Sequence, residues 1–381
     1  MNKPVYTLSE LVLYFLKLGS IGFGGPVALI GYMHRDLVEQ RKWITEEDYR
    51  EGLALAQLAP GPLAAQLSIY LGYVHYRIPG ATLAGIAFVL PSFLMVLGLG
   101  YAYVKGGGLP WMQAVFYGIG AAVIGIIAIS SYKLTRKSLG KDVLLWAIFA
   151  VLAVTTFITE TEILWLILAA GIIFWLYKSP PKFSKRANPV FLFPVLLQAA
   201  EMIWLNAKLA QIGWFFFKAG AFVFGSGLAI VPFLYGGVVK EYQWLNEQQF
   251  LDAVAVAMIT PGPVVITVGF IGYLVAGVPG ACVAALATFL PCYLFTVIPA
   301  PYFKKYGKHP GIKAFVDGVT AAAVGAIAGA VGVLAKRQFT DATSIIIAIV
   351  TIAVLLKFKK IQEPFVILAA AAAGLAVKNF L

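Results

Sequence analysis

Two Pro-Gly-Pro motifs lie in the middle of long apolar segments, and this position makes them the strongest candidates for ligand binding in this chain. They are Pro60-Gly61-Pro62 and Pro261-Gly262-Pro263. A proline inside a helix lacks an N–H and clashes with the preceding turn, so each motif predicts the end of one half-helix and the start of another. The new N-terminus presents unpaired N–H groups and the positive end of the helix dipole, and such a terminus binds anions.

A second pair of breaks precedes these motifs, at Gly22-Phe23-Gly24-Gly25-Pro26 and at Val223-Phe224-Gly225-Ser226-Gly227. Glycine lets backbone N–H groups approach a ligand closely. We predict that four half-helix ends converge near the membrane midplane, since irregular backbone at that depth is tolerated mainly where it lines a cavity. The alternative, which suits the scattered glycines of the chain better, is close packing of helices. The predicted substrate-binding residues at the breaks are Gly24, Gly25, Pro60, Gly61, Gly225, Ser226, Pro261 and Gly262.

Two lysines, Lys17 and Lys218, occupy matching positions in the broken segments. An intramembrane lysine is a candidate counter-ion for an oxyanion, and the alternative is a lysine that snorkels to the interface. Polar residues flanking the motifs could donate hydrogen bonds to a ligand or to neighbouring helices. These flanking residues are Gln57, Gln66, Ser68, Thr260 and Thr267.

Two carboxylates, Glu51 and Asp252, stand nine residues before the first proline of each motif. Intramembrane carboxylates commonly mark proton relays, so both are candidates for proton coupling. The alternative is that each acid complements the dipole near the start of its half-helix. The half-helices are predicted to begin at capping boxes formed by Thr45 with Asp48 and by Asn246 with Gln249.

The elements that position these residues recur about 200 residues apart. Adding 201 to Lys17, Trp43 and the first Pro-Gly-Pro motif gives the matching residues of the second half. With a shift of 200, Gly72, Pro79 and further residues recur in the same way. The pattern predicts two homologous repeats of a transporter.

Composition places the chain in a membrane, because 61% of its residues are hydrophobic and only 12% are charged. A helix needs about 20 mostly apolar residues to cross a bilayer, and each half holds six long apolar segments. The net charge of +12 comes from lysines and arginines in loops that flank these segments. Contact with lipid headgroups and orientation in the bilayer explain this charge better than a nucleic-acid partner does.

Loop charge predicts that the two repeats have opposite orientations. The loop after the first segment holds four Lys or Arg residues in the first half and only Lys240 in the second, and the loop after the third segment shows the reverse bias. Both loops around the second segment are basic in the first half, so Glu47 to Val74 is predicted to form a re-entrant hairpin with the Pro-Gly-Pro motif at its tip. Each half then crosses the membrane about five times.

The predicted fold class is therefore an all-α membrane protein with two inverted-topology repeats and broken or re-entrant helices. The first repeat spans residues 1–180, a basic and interfacial linker spans 181–207, and the second repeat spans 208–381. The linker includes Val190 to Leu205, whose apolar character also allows a further crossing.

The chain lacks the residue patterns of a membrane-embedded enzyme. Its three histidines, His34, His75 and His309, are scattered in loops, and neither HExxH nor the Walker motif GxxxxGK[ST] occurs. Cys282 and Cys292 lie in one apolar segment and suit packing better than a disulfide or a zinc site. No catalytic residue, metal or cofactor is predicted.

The glycine break before a basic loop, the Trp-Ile-Thr-Glu segment from Trp43 and the Ala-Pro-Gly-Pro run from Ala59 resemble the chromate ion transporter family, in its long fused form. Residues 18–26 and 59–62 carry the family pattern, and 219–227 and 260–263 repeat it, although Gly227 stands where the first copy has Pro26. The resemblance implies export of chromate across the inner membrane, driven by the proton motive force, with sulfate as a related tetrahedral dianion.

The residues themselves predict a multi-pass oxyanion transporter whose partners are the anion and the lipid bilayer. A transporter for sulfate or another oxyanion and a passive anion channel are the alternatives. Transport direction, coupling ion and oligomeric state stay open, with a homodimer as one candidate for the assembly.

Overall fold

The computed structural model describes residues 5–23, 25–106, 110–160, 163–180, 208–222, 230–303, 309–339, 341–358, 361 and 363–380. Within them, every regular element is helical. The first half contains α1 (Leu8–Ile21), α2 (Gly25–Met33), α3 (Glu46–Leu58), α4 (Leu63–Gly106), α5 (Pro110–Ser138), α6 (Val143–Thr159) and α7 (Leu164–Lys178). The second half contains α8 (Lys208–Ala221), α9 (Val231–Tyr235), α10 (Glu247–Ile259), α11 (Thr267–Val297), α12 (Pro310–Gln338), α13 (Ala342–Lys357) and α14 (Glu363–Phe380). Short π-helical segments, His34–Gln40 and Gly236–Glu241, follow α2 and α9.

Side-chain caps begin the helices that lead to the two Pro-Gly-Pro motifs. Thr45 Oγ1 accepts a hydrogen bond of 3.1 Å from the Asp48 N–H at the start of α3. At the start of α10, Asn246 and Gln249 exchange hydrogen bonds between side chain and backbone in both directions. These bonds satisfy N–H groups that have no partner inside the helix. The two predicted helix starts are confirmed, and the predicted reciprocal capping box is present at Asn246, whereas Thr45 acts as a side-chain N-cap.

The predicted break in the first apolar segment is also confirmed, since α1 ends at Ile21 and α2 begins at Gly25. Pro26 occupies the second position of α2, where the missing N–H of proline costs nothing. Gly22 caps α1 in an extended conformation, with its N–H bonded to the Leu18 carbonyl.

The helices α4 and α11 each contain a reversal of the chain. In α4 the reversal lies at Arg77 (φ 51°, ψ −138°), and in α11 it lies at Ala276 and Gly277. A Cβ atom on Gly72 would lie 2.3 Å from the Gly80 carbonyl oxygen, and the second repeat has the same contact between Gly272 and Gly280. Each of these elements is therefore a pair of antiparallel arms that cross at glycines, where backbones approach closely.

The two halves interlock through their last three helices. α5 packs against α13 and α14, and α12 packs against α6 and α7. Glycines make these contacts close: a Cβ on Gly118 would lie 2.0 Å from the Ala370 carbonyl oxygen, and one on Gly318 would lie 2.6 Å from that of Ala170. For these scattered glycines the packing interpretation is confirmed.

Within the described residues, four helical stretches are long and apolar enough to cross a bilayer by length and composition. Leu63–Gly106 and Val264–Tyr302 contain the chain reversals described above, and Ala114–Lys133 and Pro310–Lys336 lie in α5 and α12. Shorter apolar helices accompany them at matching positions of both halves. The chain thus has the helices of a multi-pass membrane protein.

Candidate functional site

The first Pro-Gly-Pro motif joins two antiparallel helices. The residues Ala59–Pro62, here called the first tip, connect α3 to the first arm of α4. Gly52 of α3 lies against the ring of Tyr70 of α4, where a Cβ on the glycine would come within 2.3 Å of that ring. Gly61 adopts φ +142°, a conformation that side chains with a Cβ rarely allow. The predicted helical hairpin is confirmed, and its second helix begins at Leu63, just after the proline.

The second motif forms the corresponding hairpin between α10 and α11. The residues Thr260–Pro263 are called the second tip, and Gly262 there has φ +94°. A short 3₁₀ turn, Val264–Ile266, precedes the α-helical part of α11. Gly61 and Gly262 therefore both adopt positive φ angles. Glycine permits these angles, which form the sharp turn between two half-helices.

The second tip is bonded to the first repeat. The N–H of Gly262 donates a hydrogen bond of 3.0 Å to the carbonyl of Gly22 in the glycine break. Ser92, in the second arm of α4, donates a hydrogen bond of 2.6 Å from Oγ to the Pro261 carbonyl. Ser92 is fully buried, so this bond forms away from solvent. Ser92 could not be predicted from the sequence, because a single serine in an apolar segment gives no signal of a partner 169 residues away.

The first tip is covered by the side chain of Gln66. Its Nε2 donates a hydrogen bond of 2.7 Å to the Pro60 carbonyl, and its amide lies against Gly61. Gln66 is fully buried, and within the described residues its Oε1 has no hydrogen-bond partner. Buried acceptors are satisfied in most proteins, so this atom requires an explanation.

An open cavity of about 540 Å³ adjoins the second tip. Ser20 of α1 and Phe23 of the glycine break line it on one side, and Thr260 and Pro261 line it from the tip. Its remaining wall is mainly the apolar surface of α4 around Met95. Hydrogen bonds and charges act more strongly beside such a wall than in water.

The two candidate carboxylates have different environments. Asp252 of α10 is buried, with 3% of its surface exposed, and accepts hydrogen bonds from Tyr103 Oη (2.7 Å) and Gln248 Nε2 (2.8 Å). Tyr103 belongs to α4, so its hydrogen bond joins the two halves. Glu51 of α3 is half-buried and shares a side-chain hydrogen bond with Tyr70 of its own hairpin.

The two lysines also differ. Lys17 lies on the exposed face of α1, one turn before Ser20 at the edge of the cavity. Lys218 is half-buried, and its Nζ lies 5.6 Å from the centre of the Trp214 ring, a cation–π distance. Gly24, Gly225 and Ser226 lie outside the described residues, as does the predicted linker 181–207.

Most hydroxyl groups near the tips are bonded to their own helices. Thr260, Thr267 and Ser68 donate to backbone carbonyls three residues earlier in the chain. Gln57 is exposed on α3, and Gln66 donates to the first tip. Thr260, Thr267, Ser68 and Gln66 therefore donate within their own hairpins, a role that could not be predicted from the sequence.

The two hairpins differ in how deeply they are buried. All residues of α10 from Phe250 to Met258 are buried, and this helix packs against α5 and α14 of the protein. In α3, Arg50 and Gln57 are exposed, and the principal helical partner is α4. One hairpin is thus enclosed by both halves, and the other has an open polar face.

Charged side chains stabilise the segment before the first hairpin. Glu46 accepts hydrogen bonds from His34 Nε2 (2.8 Å) and Arg50 Nε (2.6 Å). These bonds, the one from His34 foremost, lower the pKa of the Glu46 carboxyl below its usual value.

Comparisons with known proteins identify relatives over nearly the whole chain. A family model described as chromate transporter matches residues 9–175 and again 210–375. The chromate transport protein of Cupriavidus metallidurans is 70% identical over 98% of this chain and 94% of its own length. A probable chromate transport protein of Synechococcus elongatus is 63% identical over 97% of this chain and 96% of its own length. The chromate transport protein of Pseudomonas aeruginosa is 32% identical, covering 97% and 92%. No solved structure matches significantly.

Proposed function

This chain belongs to the chromate transporter family, and from that membership we propose that it is a secondary active transporter that exports chromate across the inner membrane. The observation that carries the proposal is the pair of helical hairpins with Pro-Gly-Pro tips, one of which is bonded to the glycine break of the other half. Half-helix ends at the interface of two repeats are the substrate sites of many secondary transporters.

We propose that the halves 1–180 and 208–381 are inverted repeats joined by the linker 181–207. Contacts at the helix ends support this orientation. Lys178, at the end of α7, bonds Asp142, just after α5, at 3.3 Å, and Trp175 of α7 lies against Gly311 at the start of α12. The end of α5 and the start of α12 are therefore on the same side of the molecule. The helices α5 and α12 therefore run in opposite directions. Because they occupy equivalent positions in the two repeats, this supports an inverted orientation of one repeat relative to the other.

The substrate site in this proposal lies at the two tips. Backbone N–H groups after Gly25, Gly61 and Gly262 would replace part of the hydration shell of the oxyanion. Lys17, exposed on α1 one turn before the cavity residue Ser20, would raise the local concentration of anions through its positive charge. Gly24, Gly225, Ser226 and Lys218 belong to the same predicted site.

Asp252 and Glu51 remain the proposed proton carriers. The stronger of the two candidates is Asp252, because its buried carboxylate is bonded by Tyr103 of the other half. A change in the charge of this carboxylate would change the bond that holds the halves together, and so would couple a proton to movement.

The difference in burial between α10 and α3 suggests how access alternates. We propose that the observed arrangement, with α10 enclosed and the face of α3 open, has a counterpart in which α3 is enclosed and α10 is open. Exchange between two such arrangements of equivalent repeats exposes a central site to each side in turn.

Uptake of labelled chromate into inverted membrane vesicles tests the function directly. Saturable accumulation that requires an imposed proton gradient, acid inside, is the expected result. Transport of sulfate without chromate would favour the oxyanion-carrier alternative. Flux that neither saturates nor depends on the gradient would indicate a passive channel.

A further inference from the structure

Gln66 gives the first tip a hydrogen-bond acceptor in addition to its N–H groups. Because the Pro60 carbonyl can only accept, the nitrogen of the Gln66 amide must face it at 2.7 Å, and this fixes the position of the oxygen. That oxygen is buried, and it has no partner within the part of the chain that the structure describes. The hydrogen bond to Pro60 therefore fixes the orientation of the Gln66 amide. Its Oε1 is a buried acceptor for which the first tip provides no donor.

The same tip holds a set of donors that need an acceptor. The N–H of Gln66 is the first to bond back within α4, to the Pro62 carbonyl at 3.0 Å. By helix geometry the N–H groups of Leu63, Ala64 and Ala65 have no intrahelical acceptor, and they carry the positive end of the dipole. An anion satisfies these donors, and a cation is repelled by them.

A ligand that satisfies both requirements is an anion that also carries an O–H group. Extending the proposed function, we infer that the first tip binds the monoprotonated form of a tetrahedral oxyanion. The anionic oxygens accept from the N–H groups of α4, and the O–H donates to Gln66 Oε1. A fully deprotonated dianion would leave the buried acceptor unsatisfied and would place two negative regions side by side.

A hydrogen bond from the O–H of the anion to Gln66 Oε1 would allow the first tip to select between oxyanions of nearly the same size and shape. Chromate takes up a proton near neutral pH, whereas sulfate and selenate remain dianions until far more acidic conditions. A site that hydrogen-bonds a substrate O–H discriminates strongly against analogues that lack it, because its own buried group is then left without a partner.

The test measures the KM for chromate and the inhibition constants of selenate and sulfate between pH 6 and 8, in vesicles containing the whole protein. Each pH unit changes the ratio of protonated to unprotonated anion about tenfold, so the KM for total chromate should fall steeply as pH falls. The inhibition constant of selenate reports titration of the protein alone. The described titratable groups on the helices packed around the tip include Glu10, Tyr14 and Lys17 of α1, Glu46, Glu47, Asp48, Tyr49, Arg50 and Glu51 of α3, Tyr70, Tyr73, His75 and Tyr76 of the first arm of α4, and Tyr293 of α11.

Two variants separate binding from folding. Gln66→Met keeps the length of the side chain without the acceptor, and it should raise the KM for chromate about tenfold at pH 6. Inhibition by selenate should not weaken in this variant, because the acceptor that opposes a dianion is gone. Thr296→Val removes a buried hydroxyl that is bonded to its own helix. This control should leave the ratio of the KM for chromate to the inhibition constant of selenate as in the wild type.

The outcomes distinguish this inference from the proposed function. Parallel pH profiles for chromate and selenate, or an equal effect of Gln66→Met on both anions, would overturn the inference and leave chromate transport standing. Failure of the wild-type protein to transport chromate at every pH would overturn the proposed function and the inference with it.

Discussion

Gly262 is the residue at which a single methyl group should disturb the site most. In Gly262→Ala the backbone at φ +94° becomes strained, at a cost of about 1–3 kcal/mol. The new Cβ would also lie 2.0 Å from Ser92 Oγ, and relief of such overpacking costs about 1–3 kcal/mol more. Together these effects predict a loss of about 2–6 kcal/mol, which the second tip can reduce only by moving away from Ser92 and Gly22.

A double-mutant cycle isolates the contact from the strain. Ser92→Ala alone removes the hydrogen bond to the Pro261 carbonyl and should cost about 1–3 kcal/mol, the penalty of an unsatisfied buried group. In the double variant the Ser92 hydroxyl is absent. The Cβ of residue 92 then lies 3.2 Å from the new methyl group, so most of the clash disappears. The destabilisation of the double variant should therefore be smaller than the sum of the two single destabilisations. The strain at φ +94° remains in the double variant.

The assay is chromate uptake in vesicles, together with thermal melting of the purified protein in detergent. Gly31→Ala is the matched control, because a Cβ on this helical glycine of α2 would meet nothing within 4 Å. We expect Gly262→Ala to lose at least tenfold in uptake and to melt earlier, with Gly31→Ala close to the wild type. Equal behaviour of the two alanine variants, or full additivity in the cycle, would refute the geometry assigned to the second tip.

Three further predictions concern other parts of the molecule. Asp252→Asn should abolish the dependence of chromate uptake on the proton gradient, whereas Glu51→Gln should reduce it less; equal retention of gradient dependence in both variants would exclude the proton-carrier role. Gly118→Val should lower the melting temperature strongly, because its Cβ would lie 2.0 Å from the Ala370 carbonyl oxygen, and a melting curve like that of the wild type would contradict the packing of α5 on α14. Because the folded-state pKa of Glu46 is depressed, its stabilisation is present above the ordinary value of 4.5 and is lost as pH falls through the lower folded value. Glu46→Gln should therefore flatten the acid side of the stability profile, and an unchanged profile would show that the carboxylate contributes nothing.

The helix breaks could be predicted from the sequence because local chemistry determines them. Proline removes an N–H wherever it stands, glycine permits the conformations found at Gly61 and Gly262, and the caps at Thr45 and Asn246 need residues only three positions away. The repeated order of these signals also predicted the equivalent helices of the second half.

The contacts between the halves could not be predicted in this way. The hydrogen bonds of Ser92 to Pro261 and of Tyr103 to Asp252 join residues 169 and 149 positions apart, and no local pattern specifies them. The deeper burial of α10 also depends on how complete helices pack. Lys17 shows the same limit, because periodicity places it on a helix but does not determine which face of α1 is covered.

The proposed transport cycle depends on oxyanion binding at the hairpin tips. A structure of the protein with bound chromate, with the chromium position determined from its anomalous scattering, would locate this site. We predict a chromium peak that places chromate oxygens within hydrogen-bonding distance of the first N–H groups of α4 or of the Val264–Ile266 turn, lost in Gly61→Leu or Gly262→Leu at the corresponding tip. A peak that lies only beside surface lysines or in the outer loops would rule out binding at the tips.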